Sequence, residues 1–168
     1  MLNELAIRTC GLTKQFDRHL AVNDVDLQVQ AGEVYGLIGP NGAGKTTLIR
    51  MLAAAEEPTK GEIYINGDRL VGDRDNSTLK QRLGYLPDDF PLYDDLSVLQ
   101  NLEFYCGVYC VPHKLRRTKI DWVLATCGLM GQEDMLTGRL PGGWKQRVAF
   151  GASVMHEPEI LFLDEPTS

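Results

Sequence analysis

The segment Gly39-Pro40-Asn41-Gly42-Ala43-Gly44-Lys45-Thr46 has the spacing of a loop that wraps phosphate. Gly39, Gly42 and Gly44 permit backbone angles closed to other residues, so successive N–H groups can turn inward toward an anion. The helix expected to start there, through Thr46 and Thr47, adds the positive end of its dipole. Lys45 is placed to reach the β- and γ-phosphates of a nucleotide, and the Thr46 hydroxyl to help hold Mg²⁺. A second candidate group lies far along the chain, where Ile160-Leu161-Phe162-Leu163 runs into Asp164-Glu165. Carboxylates at the C-terminal end of a parallel strand sit where α/β sheets bind ligands. There Asp164 would position Mg²⁺ through its water shell and Glu165 would polarise an attacking water. Each motif has a plainer reading, a glycine-rich turn or a strand leaving into charged residues. Their joint presence is what carries the chemistry.

The flanking elements must hold these groups in place. Glu33 to Ile38 is a short apolar run that predicts a buried strand feeding the loop, and Thr46 to Ala55 is rich in helix formers. Leu5 to Leu12 predicts a strand ending at a glycine, and Val25 to Gln30 alternates as a half-buried strand does. Glu62 to Gly67 predicts another strand closed by an Asn-Gly turn. Leu79 to Leu83 looks helical, and Gly84 to Pro87 looks like a strand stopped by proline. Ser97 should cap a helix through Leu99, Leu102 and Phe104. A further helix from Lys114 to Cys127 should turn Leu115, Ile120, Val123 and Leu124 inward. Residues 95–155 thus read as a helical lobe inserted between strands of an α/β core, with Ile160 to Leu163 buried on both faces.

At 168 residues the chain is one domain or most of one, with 43% hydrophobic and 24% charged residues. A net charge of -6 gives no basic field, so no nucleic-acid partner is expected. No apolar run is long enough for a membrane span, and the N-terminus has no secretory pattern. Cys10, Cys106, Cys110 and Cys127 read as buried free thiols; Cys106 and Cys110 would share a helix face, with His113 the nearest further metal donor.

With Leu140-Pro141-Gly142-Gly143-Trp144-Lys145-Gln146-Arg147 between the two anchors, the chain resembles the ATP-binding subunit of ABC transporters over essentially its full length. The octapeptide with its lysine resembles the ABC-2 exporter form, including tandem drug-efflux ATPases. The resemblance implies a P-loop NTPase fold with a mixed core sheet, an antiparallel β edge and the helical lobe. It implies that residues 1–94 and 156–168 form the core and 95–155 the signature lobe. It places Phe16 as the ring that stacks on adenine and Gly39–Thr46, with Thr47, as Walker A. Asp88 falls at the Q-loop, as metal ligand and catalytic group, and Gly142 and Gly143 fall on a signature acting on nucleotide held by an opposite subunit. Ile160–Glu165 is Walker B, and Pro166-Thr167-Ser168 opens toward the D-loop. ATP and Mg²⁺ are the implied ligands. The implied partners are a second ATPase domain and integral membrane permease subunits, at the cytoplasmic face of the membrane.

The departures are specific. Pro141 stands where the family has serine, Trp144 where it has glutamine, and Asp88 where it has the Q-loop glutamine. The resemblance also implies a D-loop, a core strand and a switch histidine after Walker B; His19, His113 and His156 do not fall at that histidine's place. His156 instead suits the negative end of a helix. The chain is therefore expected to be C-terminally incomplete and a poor ATPase by itself. Alternatives are a soluble ABC ATPase of translation or DNA repair, and a regulatory nucleotide-binding domain with little turnover. Phe90 and Tyr93 read equally as packing or as docking residues for the membrane partner.

Overall fold

The computed structural model describes residues 5–70 and 77–165. The chain divides into two compact units, residues 1–80 and 81–168.

The first unit is an antiparallel sheet with the phosphate-loop helix. Its strands are β1 (Leu5–Phe16), β2 (His19–Val25), β3 (Gln28–Gln30), β4 (Lys60–Ile65) and β5 (Asp68–Leu70), with helices α1 (Lys45–Leu52) and α2 (Ser77–Lys80). The order is β2-β1-β4-β5, with β3 also on β1. Ile7, Leu12, Val29, Ile63 and Ile65 alternate inward from the strands, and Leu48, Met51 and Leu52 form the buried side of α1. β1 does not end at Gly11. That residue takes φ 57 and the register of β1 shifts beyond it, so the glycine makes an irregularity inside a longer strand. The stretch Val25 to Gln30 is likewise two strand ends, since β2 stops at Val25 and β3 starts at Gln28. The Asn66-Gly67 turn holds as expected, both residues having positive φ, 48 and 85, as a tight hairpin requires.

The expected strand from Glu33 to Ile38 does not form. Val34 is 100% exposed and Ile38 99% exposed, and no described segment pairs with them. A strand buried on both faces needs a hydrogen-bonded neighbour on each side. Its apolar composition records what it could bury, and no described residue supplies the ladder.

The second unit holds β6 (Leu83–Leu86), α3 (Val98–Val108), α4 (His113–Thr126), a 3₁₀ turn (Thr137–Arg139), α5 (Gly142–Val154) and β7 (Ile160–Leu163). β6 and β7 pair in parallel, Leu83 opposite Ile160 and Leu86 opposite Leu163, and all three longer helices lie between them in sequence. Leu83 therefore belongs to a strand, and the helix ahead of it ends at Lys80. Helices and parallel and antiparallel strands are all present, in separate sheets. Along β7 Phe162 is buried, Ile160 and Leu161 are partly buried and Leu163 is 39% exposed.

Ser97 caps α3 with a full capping box, its hydroxyl accepting from the Gln100 N–H while the Gln100 side chain accepts from the Ser97 N–H. The residues α3 buries are Val98, Leu102, Tyr105 and Cys106, at helical spacing; Phe104 is half-exposed. On α4 the inward face is Ile120, Val123 and Leu124, with Leu115 outside it. α4 and α5 approach closely at Gly151, where a Cβ would lie 2.3 Å from Val123 Cγ1. Only Cys106 among the four thiols is fully buried, whereas Cys110 is exposed in a turn beyond α3 with φ 54. Those two cysteines therefore share no helix face.

Asn101 is the polar hinge of this unit. It is fully buried, accepts from the Tyr93 N–H at 2.9 Å, and its amide faces the carbonyls of Tyr93 (3.0 Å) and Ser97 (3.0 Å) and the Thr137 hydroxyl (3.0 Å). Thr137 in turn donates toward the Tyr93 and Leu96 carbonyls. Asn101→Ala takes the acceptor from the Tyr93 N–H and the amide donor from the Thr137 hydroxyl and opens a polar gap, so we expect a loss of about 3 kcal/mol of stability. Urea unfolding should show the lower midpoint at an unchanged slope.

Candidate functional site

In the first unit the phosphate loop is exposed and closes on itself. Ala43 N–H donates to the Pro40 carbonyl at 3.2 Å, and Lys45 Nζ donates to the carbonyls of Gly39 (2.9 Å) and Pro40 (3.0 Å). Gly42 and Gly44 have φ 80 and 86, the left-handed region that lets a loop turn its amides inward. Asn41, Thr46 and Thr47 flank this turn, Thr46 exposed at the first turn of α1. Gly44 is the N-cap of α1, so no side chain caps the helix, and its first turn holds no acidic residue. The first-turn N–H groups are thus uncapped by any side chain, beside a lysine. That arrangement fits a polyphosphate.

Phe16 ends β1 with its ring 43% exposed. The next two residues, Asp17 (φ 48) and Arg18, turn the chain into β2. A half-exposed ring at a hairpin tip offers a face to a planar base.

In the second unit β7 delivers the two carboxylates. The Asp164 N–H extends the ladder to the Leu86 carbonyl at 2.9 Å, and Asp164 is 4% exposed. Glu165 is exposed with φ 47, a left-handed backbone that is uncommon outside glycine, and it turns the chain off the strand end. A cavity of about 250 Å³ there is lined by Glu165, Asp88, Phe90, Lys145 and Gln146, among others. The expected catalytic Glu165 and Q-loop Asp88 therefore share one wall.

Gly142 and Gly143 form the exposed first turn of α5, after Pro141 as N-cap with no side-chain bond. Trp144 packs against the helical core with the Arg147 guanidinium 5.2 Å from its ring centroid, as suits a residue that replaced a polar one. Phe90 packs on Tyr105 at 4.8 Å between centroids, and the Tyr105 hydroxyl donates to the Pro91 carbonyl. Burial pushes the Tyr105 phenol up to about 12. Tyr93 stays 47% exposed beside Phe104, so packing accounts for Phe90 and leaves Tyr93 outward.

Some contributors escaped the sequence reading. Lys145 lines the cavity and pairs with Asp94 at 2.9 Å, and Gln146 lines it too. Lys145, Gln146 and Ala149 share one helical face, a spacing that could have flagged them. His156 lies just past the end of α5 and is drawn into the packed interior. Its Nε2 lies 3.0 Å from the Leu83 carbonyl, its ring stacks on Tyr109 at 3.9 Å, and burial holds its imidazole below the usual range. Among the described residues no three His, Cys, Asp or Glu side chains are grouped to hold a metal. No described helix is long and apolar enough to cross a membrane. Pro166, Thr167 and Ser168, expected to open the D-loop, lie outside the described residues.

The family described as ABC transporter matches residues 22–168. The chain is 42% identical over 165 residues to the probable multidrug ABC transporter ATP-binding protein YbhF of Escherichia coli (strain K12), covering 98% of this chain and 28% of that protein. It is 35% identical over 164 residues to the methionine import ATP-binding protein MetN of Legionella pneumophila (strain Paris), covering 96% of this chain and 48% of that one. The chain thus spans less than half the length of both relatives. The dimeric post-hydrolysis structure of the ATP-binding cassette MJ0796 with ADP and Pi superposes with a TM-score of 0.85 at 25% identity, over 96% of this chain and 74% of that one.

Proposed function

The chain belongs to the ABC transporter family of ATP-binding cassettes, and we propose that it supplies the nucleotide-binding and hydrolytic part of an ATP-driven exporter. The observation that carries this reading is the phosphate loop, with its uncapped helix N-terminus, left-handed glycines and inward-reaching lysine. Residues 39–47 bind the triphosphate, and Phe16 stacks on adenine. Thr46, Asp164 and Asp88 are the residues that would hold Mg²⁺, which would neutralise charge on the phosphate oxygens. Glu165 takes the proton from the attacking water, at the open end of β7. Gly142 and Gly143 direct N–H groups outward, toward nucleotide held by a second cassette.

In this reading residues 1–94 and 156–168 act as the catalytic core and 95–155 as the signature lobe. Integral membrane subunits are the coupled partners, on the cytoplasmic face of the membrane. Export rests on the likeness to the multidrug relative, against which stands an import relative of lower identity. A second reading, a regulatory domain of low turnover, is favoured by Pro141, whose ring removes a backbone N–H and a hydroxyl from the signature. Measurable turnover at this signature in the assembled protein would remove it.

Calorimetric titration of ATP tests the binding claim. Lys45→Ala deletes the charge-assisted bonds to phosphate, so affinity should fall roughly tenfold to a hundredfold. Undiminished affinity in a folded Lys45→Ala variant would show that residues 39–46 do not hold the phosphates.

A further inference from the structure

Lys14 does not point freely into solvent. Its side chain is 13% exposed, and its Nζ lies 2.5 Å from Glu56 Oε1 and donates to the Glu57 carbonyl at 2.7 Å. The same ammonium stands over the Phe16 ring, 4.9 Å from its centroid. β1 is irregular between Lys14 and Gln15, and Lys14 and Phe16 nonetheless come together at its end. Glu56 and Glu57 belong to the segment that leaves α1, where Ala54 (φ 57) reverses the chain and the N–H groups of Ala55 and Glu56 return to the Arg50 carbonyl.

That exit segment is sewn to the end of β1 at further points. Thr59 N–H donates to the Thr13 carbonyl at 2.8 Å, and Gln15 N–H donates to Thr59 Oγ1 at 3.1 Å. The Gln15 amide donates to the Asp17 carbonyl at 2.8 Å, clamping the turn beyond Phe16. The N-terminus of α1 carries the phosphate loop, and the segment leaving its C-terminus holds the cation behind the aromatic ring.

We propose that Lys14, fixed by Glu56, is a positioning residue for the Phe16 ring, and that it ties base recognition to the far end of the phosphate-loop helix. The inference rests on the reading of Phe16 as the base-stacking ring. The ammonium occupies one face of the ring and orients it, which leaves the other face for a base. A cation behind the ring also draws on its negative face, so the ring, cation and base form one stack. Fixing the ring before the base arrives lowers the ordering cost of binding.

The test separates base from phosphate. ATP and inorganic tripolyphosphate are titrated, each with Mg²⁺, into the 168-residue chain and its variants. Lys14→Met and Glu56→Gln should each weaken ATP roughly fivefold and leave tripolyphosphate unchanged. Lys14→Arg, which keeps the cation, should restore ATP affinity. In a Phe16→Ala background Lys14→Met should have no further effect. Circular dichroism melts confirm folding, and where Lys14→Met fails to fold, Glu56→Gln, which keeps the side-chain shape, decides the matter. If Phe16→Ala leaves ATP affinity intact, the reading of Phe16 falls and the inference with it. If Phe16→Ala weakens ATP while folded Lys14→Met and Glu56→Gln do not, the inference alone falls. Equal losses for ATP and tripolyphosphate would make Lys14 a general structural residue and overturn the proposal.

Discussion

Glu165→Gln in the assembled ATPase should cut steady-state ATP turnover by at least about a hundredfold while leaving ATP binding in place. Gln keeps the shape and polarity of the side chain and removes only its ability to take a proton. The backbone at this position is already committed to φ 47 at the end of β7, which turns the chain where the strand stops. The residue is exposed, on the wall of a cavity that Asp88 also lines, so solvent water can reach it. Asp164 beside it is buried and bonded through its own N–H into the ladder, a better placement for a metal-positioning group than for a proton acceptor exchanging with solvent. Asp164 and Glu165 should therefore separate in kinetics. Asp164→Asn should raise the Mg²⁺ requirement, whereas Glu165→Gln should lower kcat at saturating Mg²⁺ and ATP. Turnover of Glu165→Gln within about threefold of the parent would remove the general-base role.

The parts of the fold legible in the sequence are those governed by local chemistry. Ser97 with Gln100 spells a capping box, Asn66-Gly67 spells a hairpin turn, and the glycine spacing of the phosphate loop dictates left-handed backbone at Gly42 and Gly44. Each needs only neighbours a few residues away. The misreadings share the opposite property. Val34 and Ile38 look like a buried strand, yet burial of a strand is set by ladders from distant segments, and none of the described residues supplies one. Leu163 and Leu115 are apolar and half-exposed for the same reason: composition states a preference that only packing partners can meet.

The site divides along the same line. The glycine loop and the Asp164-Glu165 pair can be proposed from sequence because phosphate and metal chemistry restrict the residue types. Contacts between distant segments cannot. Asn101 reads as an ordinary polar residue in a helix, and its role appears only where the stretch leading into α3 and Thr137 of the 3₁₀ turn meet on it. Lys14 reads as a surface lysine, and its anchorage by Glu56 crosses from β1 to the exit of α1. His156 does follow the end of α5, as expected, but its burial and its stacking on Tyr109 depend on distant segments that sequence does not show. At the site, sequence proposes which residues would touch the ligand, while the packing around them is fixed by long-range contacts.

Gly44→Ala should abolish most nucleotide binding, a loss of about a hundredfold or more, although it adds a single methyl group and leaves Lys45 in place. Two costs combine at this residue. Its φ of 86 is left-handed, where a side chain adds strain of about 1–2 kcal/mol. A Cβ there would also lie 2.1 Å from the Ala21 carbonyl oxygen of β2, a backbone atom that cannot swing aside as a side-chain end could. The loop must move off β2 to make room, at a further cost of about 1–3 kcal/mol. Relief by flipping Gly44 would turn the N-cap of α1 and disperse the amides that face the phosphates. Gly42→Ala is the informative comparison. Its φ of 80 is similar, but nothing lies within 4 Å of where its Cβ would be, so it should lose affinity through strain alone, roughly tenfold. Equal losses at both positions in calorimetric titration would mean that backbone strain, rather than the approach of the loop to β2, governs the cradle.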